Sequence, residues 1–292
     1  MQQFFQQLVN GLSIGSIYAL VALGYTMVYG IIKLINFAHG DIYMIGAYVG
    51  YIVATSTGLG FFPALFSAMA FCALLGMLIE RIAYKPLRNA TRITALITAI
   101  GVSYFLEAGT QQIMSTTPKA FPALLPIGKV ELWGVVISYQ QIIIWLTTIA
   151  LLLVLQFVVH KTKIGRAMRA VSVDSNAALL MGIDVNFTIS ITFAIGSALA
   201  GAAGVLVGIY YSSINPFMGL VPGLKAFIAA VFGGIGILPG AMLGGVLIGV
   251  IESMVSGFGN SLYRDAVVYL VLIVILLVKP SGLLGKNTRE KV

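Results

Sequence analysis

Long apolar stretches without a single charged side chain constrain this sequence more than any other feature. Residues 42–79 and 185–224 carry no Asp, Glu, Lys or Arg, and neither do residues 1–32. A transmembrane helix needs about 20 mostly apolar residues, so each stretch is long enough for at least one span. Only 9% of the residues are charged, against about 25% in an ordinary soluble domain. We therefore predict an all-α polytopic membrane protein in which residues 1–292 form a single transmembrane domain.

Turn residues divide the apolar stretches into separate helices. Thr55–Gly60 and then Pro63 break the run at 42–79, and the sequence GGIGILPG interrupts the C-terminal run at 233–240. Long apolar runs without alternation argue against a β-barrel. We predict eight or nine transmembrane helices, of which the one at 223–234 is short or re-entrant. The helices are expected near residues 8–31, 38–57, 61–80, 93–114, 140–159, 187–209, 223–234, 239–257 and 262–279.

The basic residues predict the orientation of the chain. They cluster in the loop at 81–92, in the loop at 161–169, and at the C-terminus, where Lys279, Lys286, Arg289 and Lys291 lie. Loops rich in Lys and Arg remain in the cytoplasm, so we expect the N-terminus outside and the C-terminus inside. The net charge of +8 could indicate nucleic-acid binding in a soluble domain. Because the basic residues here lie between apolar runs, no nucleic-acid partner is expected.

The sequence lacks the motifs of an enzyme. It has no GxxxxGK[ST] phosphate loop, no HExxH and no GxSxG, and its one cysteine and two distant histidines do not form a metal-ligand set. We therefore predict no catalytic residue, no metal and no cofactor bound by this chain. If the protein moves a solute uphill, the energy has to come from an ion gradient or from a partner subunit.

Small residues recur at a spacing of four and predict close helix packing. Such stripes let helix backbones approach closely in a membrane. They are expected either to pack helices within this chain or to form a subunit interface. The stripes comprise Gly196, Ala200, Gly204 and Gly208 on one helix, and Gly236, Gly240 and Gly244 on another.

Six polar residues within or beside apolar runs are the candidates for a substrate pathway. A charge at mid-bilayer costs about 2.5–3.5 kcal/mol, so it is normally paired or faces water. The alternative for the first three is helix capping, and the alternative for Lys225 and Glu252 is placement at the membrane interface. The candidates are Asn36, His39, Asp41, Glu107, Lys225 and Glu252.

The loop at 160–186 is expected to face the cytoplasm and to carry a short helix. Asp174 is a predicted N-cap, Gly182 a predicted C-terminal stop, and Leu179 and Leu180 lie on an apolar face between them. Such a helix suits docking into a groove of a partner, and the alternative is a helix that lies on the membrane surface.

At the level of whole motifs, the chain resembles the LivH-type permeases of bacterial branched-chain amino acid ABC transporters. The resemblance rests on residues 15–48, on ERIAYKPLR at 80–88, on GRAMRAV and ALLMGID within 165–184, and on residues 215–245. It implies that the chain is an inner-membrane subunit and that it pairs with a LivM-like second permease. It also implies two cytoplasmic ATPases that use ATP and a periplasmic binding protein that delivers the substrate. It also implies that the loop at 160–186 couples to the ATPases, through Gly165, Arg166, Arg169, Asp174, Leu179, Leu180 and Gly182.

The resemblance and the composition together predict a permease for leucine, isoleucine and valine that works by alternating access. Related permeases for urea, short amides or other hydrophobic amino acids share these motifs, so they stay open as alternatives. A third alternative is an ion-coupled carrier that works alone. The absence of a spaced series of carboxylates along one helix counts against that carrier.

Overall fold

The computed structural model describes residues 1–88 and 90–285, and within them the chain is mostly helical. Lys286, Arg289 and Lys291, predicted to complete the C-terminal basic cluster, lie outside the described residues. The eleven α-helices of the described part are α1 (Gln2–Ile32), α2 (His39–Thr57), α3 (Phe61–Ile79), α4 (Arg92–Met114), α5 (Tyr139–Lys161), α6 (Lys163–Val173), α7 (Ser175–Leu180), α8 (Val185–Tyr211), α9 (Leu220–Gly233), α10 (Leu238–Phe258) and α11 (Arg264–Val278).

A helix is present at each of the nine positions where a membrane helix was predicted, and the short helix predicted in the loop at 160–186 is present too. The structure adds α6, which the sequence analysis had treated only as a basic segment. Among the described residues, seven helices are long and apolar enough to cross a membrane, counting α11 with the 3-10 turn Ser261–Tyr263 before it. Helices α2 and α9 fall outside that set, so length and composition give seven candidate spans where eight or nine were predicted. The seven are α1, α3, α4, α5, α8, α10 and α11.

Helices α1 and α8 form the centre of the bundle. Helix α1 packs along α10 and α8, while α2 and α3 pack on the other side of α8. Glycines allow these approaches: a Cβ at Gly15 would lie 2.8 Å from the Cα of Val246, and Gly46 of α2 meets the backbone of Gly201 in α8. Close backbone contact supplies van der Waals packing where lipid removes the hydrophobic drive between helices.

Four short strands lie in the connections at one end of the bundle. Strand β2 (Lys129–Leu132) pairs with β3 (Val135–Ser138) around Trp133 and Gly134, which both have positive φ, as a type I′ hairpin turn requires. Strand β1 (Lys119–Ala120) pairs with β4 (Ser213–Ile214), so the loop after α4 meets the end of α8. The start of α1 joins this end, because the Gln6 amide exchanges two hydrogen bonds with the backbone of Val136.

The opposite end of the bundle collects the remaining connections. Gly30, near the end of α1, faces Gly236 in the connection between α9 and α10. The backbone N–H groups of Leu283 and Leu284, beyond α11, donate to Phe232 and Gly233 at the end of α9. The ends of α1, α9 and α11 therefore lie together, away from the strands.

Candidate functional site

The connection between α1 and α2 folds back into the protein interior. Asn36 and His39 are buried, and a Cβ at Gly24 of α1 would collide with the imidazole of His39. Helix α2 therefore begins beside Gly24, about two turns before α1 ends. The N-cap of α2 is Ala38, and no side chain in the described connection caps the helix. The capping alternative for Asn36, His39 and Asp41 is wrong.

The buried polar side chains of this connection are only partly hydrogen-bonded. The Tyr84 hydroxyl donates to Oδ1 of Asn36 at 2.9 Å. Nδ2 of Asn36 and Nε2 of His39 have no hydrogen-bond partner among the described residues. Unsatisfied buried polar atoms are uncommon in folded proteins and call for a structural or functional explanation.

Asp41 and Glu107 line one cavity of about 330 Å³ between α2, α4 and α9. Asp41 is buried and accepts a hydrogen bond from Ser103 at 2.5 Å, while Glu107 lies one turn further along α4. The rest of the wall is largely apolar and aromatic. Two of the six predicted pathway residues, Asp41 and Glu107, are therefore brought together, but Asn36 and His39 do not line this cavity. Its lining residues are Tyr25, Phe37, Asp41, Ile100, Ser103, Tyr104, Glu107, Gly219, Leu220, Gly223 and Leu224.

Lys225 and Glu252 form a buried ion pair. Nζ of Lys225 lies 2.8 Å from Oε1 of Glu252 and 2.6 Å from Oδ1 of Asp265. The Tyr18 hydroxyl donates to the second oxygen of Glu252 at 2.9 Å. Arg264 completes the group at 3.7 Å from Glu252. Lys225 and Glu252 are each only 2% exposed, so pairing inside the protein, and not exposure at an interface, satisfies their charges.

This four-residue charged cluster, Lys225, Glu252, Arg264 and Asp265, lines a second cavity of about 380 Å³. The cluster has two positive and two negative charges, and Arg264 and Asp265 are partly exposed. A guanidinium binds carboxylates well, and a carboxylate binds ammonium groups. The arrangement can therefore hold both ends of a zwitterion.

The start of α9 separates the two cavities. Leu220, Gly223 and Leu224 face the cavity of Asp41, whereas Val221 and Lys225 face the charged cluster. Of the predicted pathway residues, Asp41 and Glu107 therefore line the cavity on one side of this short helix, and Lys225 and Glu252 line the cavity on the other. This division could not be foreseen, because the helical phase of α9 relative to its neighbours depends on packing.

Four residues that line or contact the two cavities were not predicted from the sequence: Arg264, Asp265, Tyr18 and Ser103. Arg264 and Asp265 could have been found, because they are adjacent charges at the start of an apolar run, the pattern that identified Lys225. Tyr18 and Ser103 gave no signal, since a lone hydroxyl inside an apolar helix is usual.

The loop at 160–186 contains α6 and α7. Helix α6 buries Gly165, which meets backbone oxygens at the end of α5, and Arg169 donates to the oxygen of Val159, whereas Arg166 is exposed. Asp174 caps α7 by accepting from the N–H groups of Asn176 and Ala177. Gly182 has φ +79°, a left-handed conformation that commonly ends helices.

Helix α7 exposes an apolar surface. Leu180 is 88% exposed and Leu179 is 61% exposed, and Met181 beside them is also exposed. Apolar side chains of this size normally find a binding partner or a lipid surface. The geometry therefore suits both of the interpretations given above, docking to a partner and contact with the membrane surface.

The glycine stripes contact other helices within the chain. On α8, Gly196 meets Gly24 and Gly204 meets Tyr43 and Ala47, whereas Gly208 lies against the ring of Phe121 and Ala200 is buried. On α10, Gly240 meets Gly233 and Gly244 meets Ala229, both in α9. Gly236 is not on the helix: it lies in the connection before α10 with φ +92°, so its place in the predicted stripe is wrong.

Comparison with known proteins gives a consistent family. Residues 7–276 match the family described as branched-chain amino acid transport system, permease component. The chain is 47% identical to the high-affinity branched-chain amino acid transport system permease protein BraD of Pseudomonas aeruginosa, over 99% of this chain and 98% of BraD. It is 43% identical to the permease protein LivH of Escherichia coli K12, over 99% and 98% of the two chains.

Two more distant proteins also match the chain, one by sequence and one by structure. A probable branched-chain amino acid transport permease protein LivH of Methanocaldococcus jannaschii is 29% identical over 94% of this chain and 90% of its own. The solved structure of PsaBC from Streptococcus pneumoniae in complex with Fab matches with a TM-score of 0.51 at 16% identity. That match covers 98% of this chain and 94% of the other, and it supports the fold alone.

Proposed function

The chain belongs to the family of branched-chain amino acid transport system permease components, and on that premise we propose that it is the transmembrane permease subunit of an ABC importer for leucine, isoleucine and valine. The observation that carries the proposal is identity of 43–47%, over nearly the whole chain, to permeases that are named for this transport. The protein is a multi-pass membrane protein, and the bacterial inner membrane is its expected location.

The proposed assembly contains a LivM-like second permease, two cytoplasmic ATPases and a periplasmic substrate-binding protein. ATP is bound and hydrolysed by the ATPases, and this chain binds neither ATP nor a metal. The exposed apolar surface of α7 supports a docking role for the loop at 160–186, because it lies at the end of the bundle that carries most basic residues. Movement of this coupling loop would switch the bundle between its outward-open and inward-open states.

We propose nine membrane crossings. Helix α2 has 19 residues, long enough to span, and it lies in the protein centre where few lipid-facing apolar residues are needed. The segment from β4 to the end of α9 provides another crossing, by an extended stretch followed by a short helix. Its start pairs with β1 at one end of the bundle, and its end meets Leu283 at the other. These contacts support a full crossing of the membrane in preference to a re-entrant loop.

An odd number of crossings places the two termini on opposite sides of the membrane. We place the N-terminus outside and the C-terminus in the cytoplasm. Lys33, Lys279 and the loops at 80–92 and 160–186 then share one side of the membrane. Among the described residues the other side carries only Lys119, Lys129 and Arg264 as basic residues, while Lys225 is buried. This asymmetry agrees with the excess of Lys and Arg that cytoplasmic loops carry.

The pathway is proposed to run past the start of α9, with the charged cluster on its outer side. A zwitterionic amino acid presents one carboxylate and one ammonium group, and the cluster offers charges of both signs within one cavity. Urea and short amides carry no charge and gain less from such a cluster. The charged cluster therefore favours an amino acid over the neutral solutes of related permeases.

Reconstitution in liposomes tests the proposal against an autonomous carrier. The complete complex, supplied with binding protein and ATP, is expected to accumulate radiolabelled leucine, whereas this chain alone is expected to accumulate none under a proton or sodium gradient. Uptake by the chain alone would show that the carrier interpretation is right and that the ABC proposal is wrong.

A further inference from the structure

A π-helical segment, Glu80–Tyr84, joins α3 to the 3-10 turn Lys85–Leu87. Segments of π-helix are rare and frequently occur at functional sites. This one lies between two parts of the molecule that the proposed function requires to move together. The first is the coupling loop at 160–186, and the second is the buried connection between α1 and α2.

On one side, the segment is bound to the beginning of α8. Glu80 is completely buried, and its carboxylate accepts hydrogen bonds from Arg88 and from the Ser190 hydroxyl, the latter at 2.6 Å. Arg88 uses its other terminal nitrogen to donate to Oδ1 of Asn186 at 2.6 Å. Asn186 lies in the first turn of α8, directly after the coupling loop.

The first turn of α8 is itself fixed to the coupling loop. Asp184 caps α8 by accepting from the N–H of Phe187 at 3.0 Å, and α7 ends only four residues earlier. Displacement of α7 by a partner would therefore displace Asn186, and with it the guanidinium of Arg88.

On the other side, the segment is bound to the α1–α2 connection. The Tyr84 hydroxyl donates to Asn36, and the Tyr84 ring packs against Phe193 of α8 with centroids 5.4 Å apart. Asn36 lies three residues before His39, the first residue of α2, and five before Asp41, which lines the cavity beside α9. A shift of Tyr84 would therefore displace Asn36 and, with it, the start of α2.

We propose that Arg88, Glu80, Tyr84 and Asn36 form a polar linkage that transmits movement of the coupling loop to the start of α2. The inference rests on the proposed function, and it assigns these four side chains as positioning residues. The Glu80 carboxylate of this ion pair is fully buried and the Arg88 side chain is 22% exposed. Ion pairs with a buried charge often stabilise a fold no better than apolar residues of the same volume, so a positional role accounts for the pair more directly. Hydrogen-bonded and packed side-chain networks can carry energetic coupling between two sites, and the linkage is such a network.

The test removes one hydrogen bond at each end of the linkage. In the reconstituted complex, Asn186→Ala and Tyr84→Phe are each expected to lower the leucine imported per ATP hydrolysed about fivefold, the lower end of typical coupling between sites. The double variant is expected to be no worse than the more affected single variant, because both changes break one linkage. Asn186→Asp keeps the acceptor for Arg88 and is expected to retain coupling.

The control is Tyr48→Phe, which removes a buried hydroxyl that has no hydrogen-bond partner in the described chain. Tyr48→Phe is expected to leave the amount of leucine imported per ATP hydrolysed unchanged. If Asn186→Ala and Tyr84→Phe also leave it unchanged, or if their effects multiply in the double variant, the linkage is overturned.

A second measurement does not depend on leucine. Spin labels at Thr57 and Thr117, both exposed at the end of the bundle that carries the strands, report movement of α2 when the complex is trapped with ATP and vanadate. The distance between the two spin labels is expected to change on trapping in the wild-type complex and to change less in the Tyr84→Phe complex. An equal change in both overturns the linkage alone. A wild-type complex that neither hydrolyses ATP nor moves overturns the proposed function, and the linkage with it.

Discussion

At the scale of single residues, the buried charges of the bundle are the feature with the largest energetic consequences. Lys225 contacts two carboxylates and the Tyr18 ring at 6.0 Å, with almost no exposure to solvent. Each charge is tolerated because an opposite charge lies within hydrogen-bonding distance. Removing one partner leaves the other buried and uncompensated.

Lys225→Met is therefore expected to destabilise the purified chain by about 3–5 kcal/mol, the usual cost of breaking a buried pair from one side. Combining it with Glu252→Leu removes both charges and is expected to recover much of that loss. Thermal unfolding in detergent measures the stability of the single and the double variant. A single variant that unfolds at the wild-type temperature would contradict the assignment of a stabilised pair.

Sequence reasoning identified Lys225 and Glu252 because a charge inside an apolar run is unusual. It did not identify their pairing, because 27 residues and a turn separate them and the contact depends on how α9 packs on α10. The same limit applies to Asn36 and Tyr84, whose hydrogen bond joins segments 48 residues apart. A local sequence pattern can therefore identify an unusual polar residue, but the residue that it contacts depends on tertiary packing.

At the scale of elements, the short helix α7 shows how far local signals reach. Asp174 and Gly182 predicted its two ends, and both residues have the expected conformations. Helix α6 was not predicted, because its basic residues were interpreted only as a cytoplasmic cluster and its buried face of Gly165, Met168 and Val171 was overlooked. That face has helical spacing and could have been recognised.

We expect Leu179→Asp combined with Leu180→Asp to abolish co-purification of the ATPases, since burying two unpaired carboxylates in an apolar groove is strongly unfavourable. The matched control is Leu262→Asp, because Leu262 is also highly exposed but lies at the opposite end of the bundle. Retention of the ATPases by the double variant would assign α7 to the membrane surface.

Close packing of α1 on α10 makes a second prediction at this scale. A side chain at Gly249 would meet the backbone of Gly15, so Gly249→Val is expected to cost about 1–3 kcal/mol through overpacking. Gly101 on α4 is the control, because no described atom lies within 4 Å of a Cβ placed there. Gly101→Ala is expected to be neutral or stabilising by up to about 1 kcal/mol. Equal stabilities of the two variants would contradict the packing argument.

At the scale of the whole molecule, the excess of basic residues at one end of the bundle predicts its orientation. Cys72 is the sole cysteine and is buried, so Cys72→Ser provides a background for single labels. A cysteine at Thr117 is expected to react with a membrane-impermeant maleimide in intact spheroplasts. A cysteine at Val173 is expected to react only after permeabilisation, and the reverse pattern would invert the topology.

The assignment as a branched-chain amino acid permease is tested most directly by substrate competition. In proteoliposomes that contain the complete complex, excess isoleucine or valine is expected to suppress ATP-driven uptake of radiolabelled leucine, while urea and acetamide are expected to leave it unchanged. The charged cluster and the apolar cavity walls both predict this pattern. ATP-driven uptake of urea or acetamide in place of leucine would contradict the account.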